Sequence, residues 1–257
     1  MNICELCKKN EADKRNSHII PKFLSKRLFE YTKPRHLLSI NRKGEPRKIQ
    51  DTPKEHNILC SQCEKRFEIL ETYFSKKITS INDFNNQGGK FFVEDYGENQ
   101  LLRCIKINPT SFKLFIYSII WRVSISKLQI FEKFKLPESI ESELRFFLDE
   151  NLKSSHSKML NSFERISNLP NYHFTVIKPI SRNDKTRGIL TAYQMAPNNF
   201  CIFTVDYLIF FFDKEEKIDP AFKFYSNKQN EIVKIVVSAV SGWQKLTKAV
   251  VFKMLRK

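Results

Sequence analysis

The chain has 257 residues, 41% hydrophobic and 13% aromatic, with 44 Lys and Arg against 28 Asp and Glu and a formal net charge of +16. That apolar and aromatic content excludes a wholly disordered chain, and no apolar run reaches the ~20 residues of a membrane-spanning helix. The amino terminus, MNICELCKKNEADK, is polar and lacks the apolar stretch of a secretory signal, so the cytoplasm, away from membranes, is the expected setting; the excess charge makes a polyanion, nucleic acid first, the expected partner.

The charge is unevenly spread. Residues 1–80 carry +8 and the 177 that follow carry the other +8, so the first segment has more than twice the charge density. It opens on Cys4-Glu5-Leu6-Cys7, and a second pair, Cys60-Ser61-Gln62-Cys63, follows later. Two intervening residues let both thiolates of a pair face one tetrahedral ion, and two such pairs complete a four-sulfur site. In a chain without a secretion signal this spacing reads as structural Zn2+ bound by Cys4, Cys7, Cys60 and Cys63 rather than as disulfides. Between the pairs, SHIIP leads into a helix to about residue 31, with Pro21 in its first turn. Residues 36–41 and 46–50 form a hairpin turning at Gly44, whose basic tip is Arg42, Lys43, Arg47 and Lys48, a candidate nucleic-acid-binding surface. Phe67, Leu70, Phe74 and Ile78 then recur at helical spacing on the side of Cys63. A knuckle, a hairpin and a helix whose first turn supplies the last two ligands make a treble-clef arrangement, a unit too small to fold without its metal.

Residues 82–98 hold three of the six glycines and read as a linker or turn region. Residues 109–132 are a strongly apolar helix, the centre of a second core, with Arg122 inside it; a charge there must pair if buried. Two amphipathic helices follow at 137–153 and 154–168. After Pro170, HFTVIKPI, ILTAYQMA, NFCIFTVDYLIFFF and FKFYS are rich in β-branched and aromatic residues and suggest a small antiparallel sheet. Cys104 and Cys201 lie in apolar runs as buried small hydrophobes. A basic amphipathic helix ends the chain. The fold class is therefore α+β: a treble-clef zinc module at 1–80, then a helical region and small sheet at 81–257.

The first cysteine pair, SHIIP some ten residues on, and LCSQCE at the start of a helix together resemble the HNH endonuclease family of ββα-metal nucleases over about residues 3–78. The resemblance implies a metal-dependent cut in DNA, with RNA as the other candidate. His18 matches the histidine that acts as general base on a water, Asn57 is the natural candidate for the middle position, and Glu64 fills the last motif position at the helix start. A divalent ion, Mg2+ or Mn2+, stabilises the charge developing on the phosphodiester. Free-standing nucleases of this build often serve bacterial defence, and residues 81–257 would then be a regulatory module that binds a protein partner or a second copy. The chain departs from the family pattern at Ser17, where an Asp metal ligand is usual; Glu64 carries a carboxylate that can compensate. Ser17 keeps a second reading open, a non-catalytic zinc protein that binds nucleic acid or a partner subunit.

Overall fold

In a computed structural model, the protein is described over residues 2–29, 37–40, 45–167, 169–181, 189–196, 199–228 and 231–255. The cysteine spacing shapes its start. Lys8, just past Cys7, takes a left-handed φ of 54°, and its N–H closes the knuckle on the Cys4 carbonyl at 2.9 Å. The Glu5 N–H donates to the Ile58 carbonyl and the Lys14 N–H to Leu59, so the two cysteine pairs are laced together by main chain. Strand β1 (Ser17–His18) pairs antiparallel with β4 (Lys54–Glu55), Ser17 opposite Glu55 and His18 opposite Lys54. Between them lie helix α1 (Lys22–Ser25), a 3-10 turn over Lys26–Phe29, and an antiparallel hairpin of β2 (Leu37–Ile40) and β3 (Pro46–Ile49).

Helix α2 (Ser61–Asn82) starts directly after Cys60, and the Asp13 carboxylate accepts hydrogen bonds from the Ser61 N–H and hydroxyl at 2.6 and 2.8 Å. A carboxylate there satisfies orphan helix donors and complements the helix dipole. Its buried stripe, Cys63, Phe67, Leu70, Phe74, Ile78 and Ile81, keeps helical spacing and faces helix α3 (Pro109–Ile125). Asn108 caps α3, and its residues from Ser111 to Ser124 are all buried. On one side Phe115 stacks on Phe74, centroids 4.4 Å apart, and Trp121 on Phe67; on the other, Phe112 and Tyr117 meet Phe174. Helix α4 (Glu138–Asn151) packs on α3 through Phe147 against Tyr117, and α5 (His156–Ser162) follows it.

Under α3 lies a seven-stranded sheet. Its strands are β5 (Phe91–Tyr96), β6 (Asn99–Cys104), β7 (His173–Pro179), β8 (Leu190–Ala196), β9 (Asn199–Thr204), β10 (Leu208–Phe212) and β11 (Val233–Ser238), in the order β5-β6-β11-β7-β10-β9-β8. All neighbours are antiparallel except β11 and β7. Helix α6 (Pro220–Lys223) and helix α7 (Val240–Leu255) cover the far face, Phe222 stacked on Phe210 and Trp243 against Phe203. Every residue of β7 and β10 is buried, which is why LIFFF reads as an unbroken apolar run rather than an alternation.

The class is α+β as expected, but the sheet is larger than expected and mixed. Two of its strands, β5 and β6, come from the Gly-rich stretch and the LLRCIKI run. Gly97 has a φ of 63° and opens a two-residue hairpin turn, so that glycine joins two strands instead of ending a domain. Strand β5 is an edge strand, partly exposed throughout and rich in acids, and so lacks an apolar pattern. FKFYS is no strand: its start belongs to α6, which Asp219 caps. One hydrophobic cluster runs from Cys4 through α2 and α3 to Val237 in β11.

Candidate functional site

The Sγ atoms of Cys4, Cys7, Cys60 and Cys63 lie within 4.8 Å of one another, three of these residues buried and Cys7 half-buried. They lie close enough to hold one metal ion, and among the described residues they are the one cluster of three or more such side chains that does. A hydrogen bond from Cys63 lowers the Cys4 thiol to about 4, and the same bond pushes Cys63 up. Four thiols this close do not all ionise unless a cation sits among them. Two donors already point at the sulfurs: Asn10 Nδ2 at 3.8 Å from Cys60 and Arg66 Nη1 at 3.8 Å from Cys63. Outer contacts of this kind orient and neutralise thiolate ligands.

Beside this cluster, β1 brings Ser17 and His18 against the start of α2. The Ser17 hydroxyl is fully buried and donates to Glu64 Oε2 at 2.9 Å. Burial, ahead of every other influence, raises the Glu64 carboxyl above its ordinary value, while the Ser17 bond and Arg122 oppose the shift. His18 is half-buried, and its Nδ1 lies 3.1 Å from Thr52 Oγ1. Thr52 in turn meets Asp51 Oδ1, through its N–H at 2.8 Å and through its hydroxyl at 3.5 Å. Desolvation, then the Lys54 charge, holds His18 below the ordinary imidazole value. That shift favours the neutral ring at pH 7. If the Thr52 hydroxyl turns toward Asp51, its oxygen accepts Nδ1–H and the His18 Nε2 lone pair stays available.

Behind the strands sits Arg122, which is 2% exposed. Its Nη1 donates to Glu71 Oε1 at 2.6 Å and to the His18 carbonyl at 3.0 Å, its Nε donates to the Ser118 carbonyl, and the guanidinium lies 4.8 Å over the Phe67 ring. The charge thus finds its counter-ion 51 residues away, while Nη2 has no hydrogen-bond partner among the described residues. On β4, the buried Glu55 carboxylate accepts from the Ser126 hydroxyl at 2.6 Å and the Lys127 N–H at 3.0 Å.

The residues singled out in sequence are therefore only partly assembled. Ser17 binds Glu64 and His18 follows it on β1, but adjacent strand residues point to opposite faces, and among the described residues no hydrogen bond joins the His18 ring to Glu64. Asn57 is exposed in the loop before Cys60, with a φ of 55° and its N–H on the Lys14 carbonyl at 2.8 Å; among the described residues no hydrogen bond joins its side chain to His18 or Glu64. Asn tolerates the left-handed conformation that this turn needs. Arg47 and Lys48 are exposed on β3, whereas Arg42 and Lys43 lie outside the described residues. Sequence reasoning missed Asp51, Thr52 and Glu55. The adjacent Asp-Thr, a pair that turns chain locally, was the one signal available for the first two.

No protein-family model matches the chain, and neither a curated protein nor a solved structure matches it. Among the described residues no helix is long and apolar enough to cross a membrane.

Proposed function

We propose that the protein is a zinc-stapled, metal-dependent endonuclease of the HNH type acting on DNA, with His18 as its general base. The observation that carries this reading is the His18 side chain. It is half-buried, neutral, oriented at Nδ1 through Thr52 and Asp51, and held on a strand beside the helix start that bears Glu64. A base must be unprotonated at working pH and fixed by a third group, and the lowered imidazole value and the Thr52 contact support both. Zn2+ fits the four thiols, because a closed tetrahedral sulfur site at ~2.3 Å per bond places sulfurs roughly 3.8 Å apart and leaves no open position for chemistry. Its role is structural.

In the reaction, His18 Nε2 takes a proton from a water as the oxygen attacks phosphorus; the opposite P–O bond breaks, and its oxygen takes up a proton from solvent. Glu64 would hold a Mg2+ or Mn2+ ion brought with the substrate, and that ion would supply positive charge to the phosphate. Mg2+ commonly takes one or two carboxylates and completes its shell with water and substrate phosphates, so a single Glu fits a site that the nucleic acid completes. The Ser17 hydroxyl, by holding Oε2, aims the other oxygen.

One observation favours a second reading, non-catalytic nucleic-acid binding by the same module: Ser17 brings no charge, and its hydroxyl is spent on Glu64. Plasmid incubated with Mn2+ and purified protein separates the two. Nicking that disappears in His18→Ala supports the nuclease. Equal nicking by the variant, or none by either, together with salt-sensitive binding, supports the second reading.

A further inference from the structure

Strands β1 and β4 are two residues each, too short to fix their own geometry. Both are instead held from α3. Arg122 bonds the His18 carbonyl on β1, and the residues just past the helix end, Ser126 and Lys127, bond Glu55 on β4. Arg122 also bonds Glu71, which lies seven residues beyond Glu64 on α2 and therefore on the same helix face. One guanidinium thus joins the backbone of the histidine to the face that carries the carboxylate.

We infer that Arg122 is a positioning residue that fixes His18 relative to Glu64, an inference that rests on the nuclease reading. Nη1 serves both acceptors while Nε anchors the guanidinium plane on the Ser118 carbonyl, and a lysine ammonium has no second nitrogen to be anchored in this way. The guanidinium itself is immobilised from below by the Ser118 carbonyl and from the side by the Phe67 ring. Packing does not explain the charge, since a Met would fill the space with no desolvation cost. The body beyond residue 80 therefore completes the site, rather than serving only as an appendage to it.

The test uses the full chain with its zinc. Three proteins are compared: wild type, Arg122→Lys, and the double variant Arg122→Met/Glu71→Met, which leaves no charge stranded. A thermal transition and zinc content report folding. Mn2+-dependent nicking, resolved into kcat and KM, and the 15N shifts of the His18 ring report position. In both folded variants kcat is expected to fall about 100-fold with KM unchanged, as for a displacement of about 1 Å in reacting groups. The His18 ring shifts are expected to move as its fixed tautomer is lost. A merely structural role predicts that the double variant restores both readouts. Wild-type kcat and ring shifts in the folded variants overturn the inference. If wild type itself does not cut, the nuclease reading fails and the ring shifts alone decide: moved shifts support positioning by Arg122, unmoved shifts overturn it.

Discussion

The cysteine module and the helix–sheet body carry equal excess charge, but they are held together by different means. The body has a buried helix laid on a sheet whose strands β7 and β10 are buried on both faces, joined by a lattice of aromatic contacts among Phe112, Tyr117, Phe174 and Phe211. The module has two pairs of very short strands, a four-cysteine cluster, and a seam of polar contacts to the body. Along that seam Arg122 meets His18 and Glu71, Ser126 meets Glu55, Arg66 meets Asp149, Arg145 meets the Leu6 carbonyl, and Arg27 meets Asp206. The difference teaches where precision comes from. The body makes its own geometry by packing, whereas the module is fixed by a four-cysteine cluster able to hold a metal at one end and by α3 at the other.

The largest effect that sharpens this contrast is removal of the metal. Zinc-finger peptides gain about 10–16 kcal/mol from their ion. Chelation should therefore abolish amide protection at Cys4, Lys8, Lys14 and Glu64, while the amides of β7 and β10 keep theirs in native-state hydrogen exchange. Equal loss in the sheet would show that the two regions unfold as one. Next in size, Phe74→Ala removes the ring that stacks on Phe115 across the junction and should cost about 3–5 kcal/mol. Urea unfolding followed by Trp fluorescence should shift to a lower midpoint; an unchanged midpoint would show that this stack contributes nothing to the junction. Glu55→Gln keeps the shape but removes the charge that Ser126 and Lys127 bond, for about 1–3 kcal/mol in the same measurement.

Smaller effects follow with pH. His18 in the module and His173 in the body are both held below the ordinary imidazole value, burial being the largest cause in each. The unfolded chain then binds the proton first. Each histidine contributes stability that is complete above about pH 6.5 and is lost as pH falls below that toward the folded values. Tm should decline from pH 7 to pH 5, and His173→Gln should flatten the decline; an unchanged slope removes His173 from the linkage. Smallest of all, Arg47→Gln with Lys48→Gln should weaken DNA binding slightly and reduce the slope of log affinity against log salt by up to about 2. A slope that does not move places the phosphate contacts elsewhere.

Sequence alone gave unequal access to these features. The α2 stripe and the apolar α3 were legible, because their periodicity lies within one element. The cysteine cluster was legible for a related reason: two residues of spacing dictate how a pair meets an ion, wherever the other pair lies. The β5–β6 hairpin was not, because an exposed, acidic edge strand shows no alternation and its glycines read as a linker. The left-handed turn at Asn57 was not legible either, because its backbone conformation depends on the Lys14 carbonyl 43 residues earlier. Thr52 and Glu55 were passed over, since their roles depend on partners 34 and 71 residues distant.

By itself, then, the sequence determined the four clustered thiols, the helix that opens on the second pair, the apolar core helix and the rule that Arg122 must pair if buried. These follow from local spacing, apolar periodicity and the cost of a lone buried charge. Only the tertiary structure decided that Arg122 pairs with Glu71 while holding the His18 backbone, that Ser17 binds Glu64, and that the C-terminal end of one buried helix holds both short strands. Those choices depend on which distant segments meet at a low-dielectric seam, where every donor needs an acceptor, and nothing in the neighbouring residues encodes that meeting.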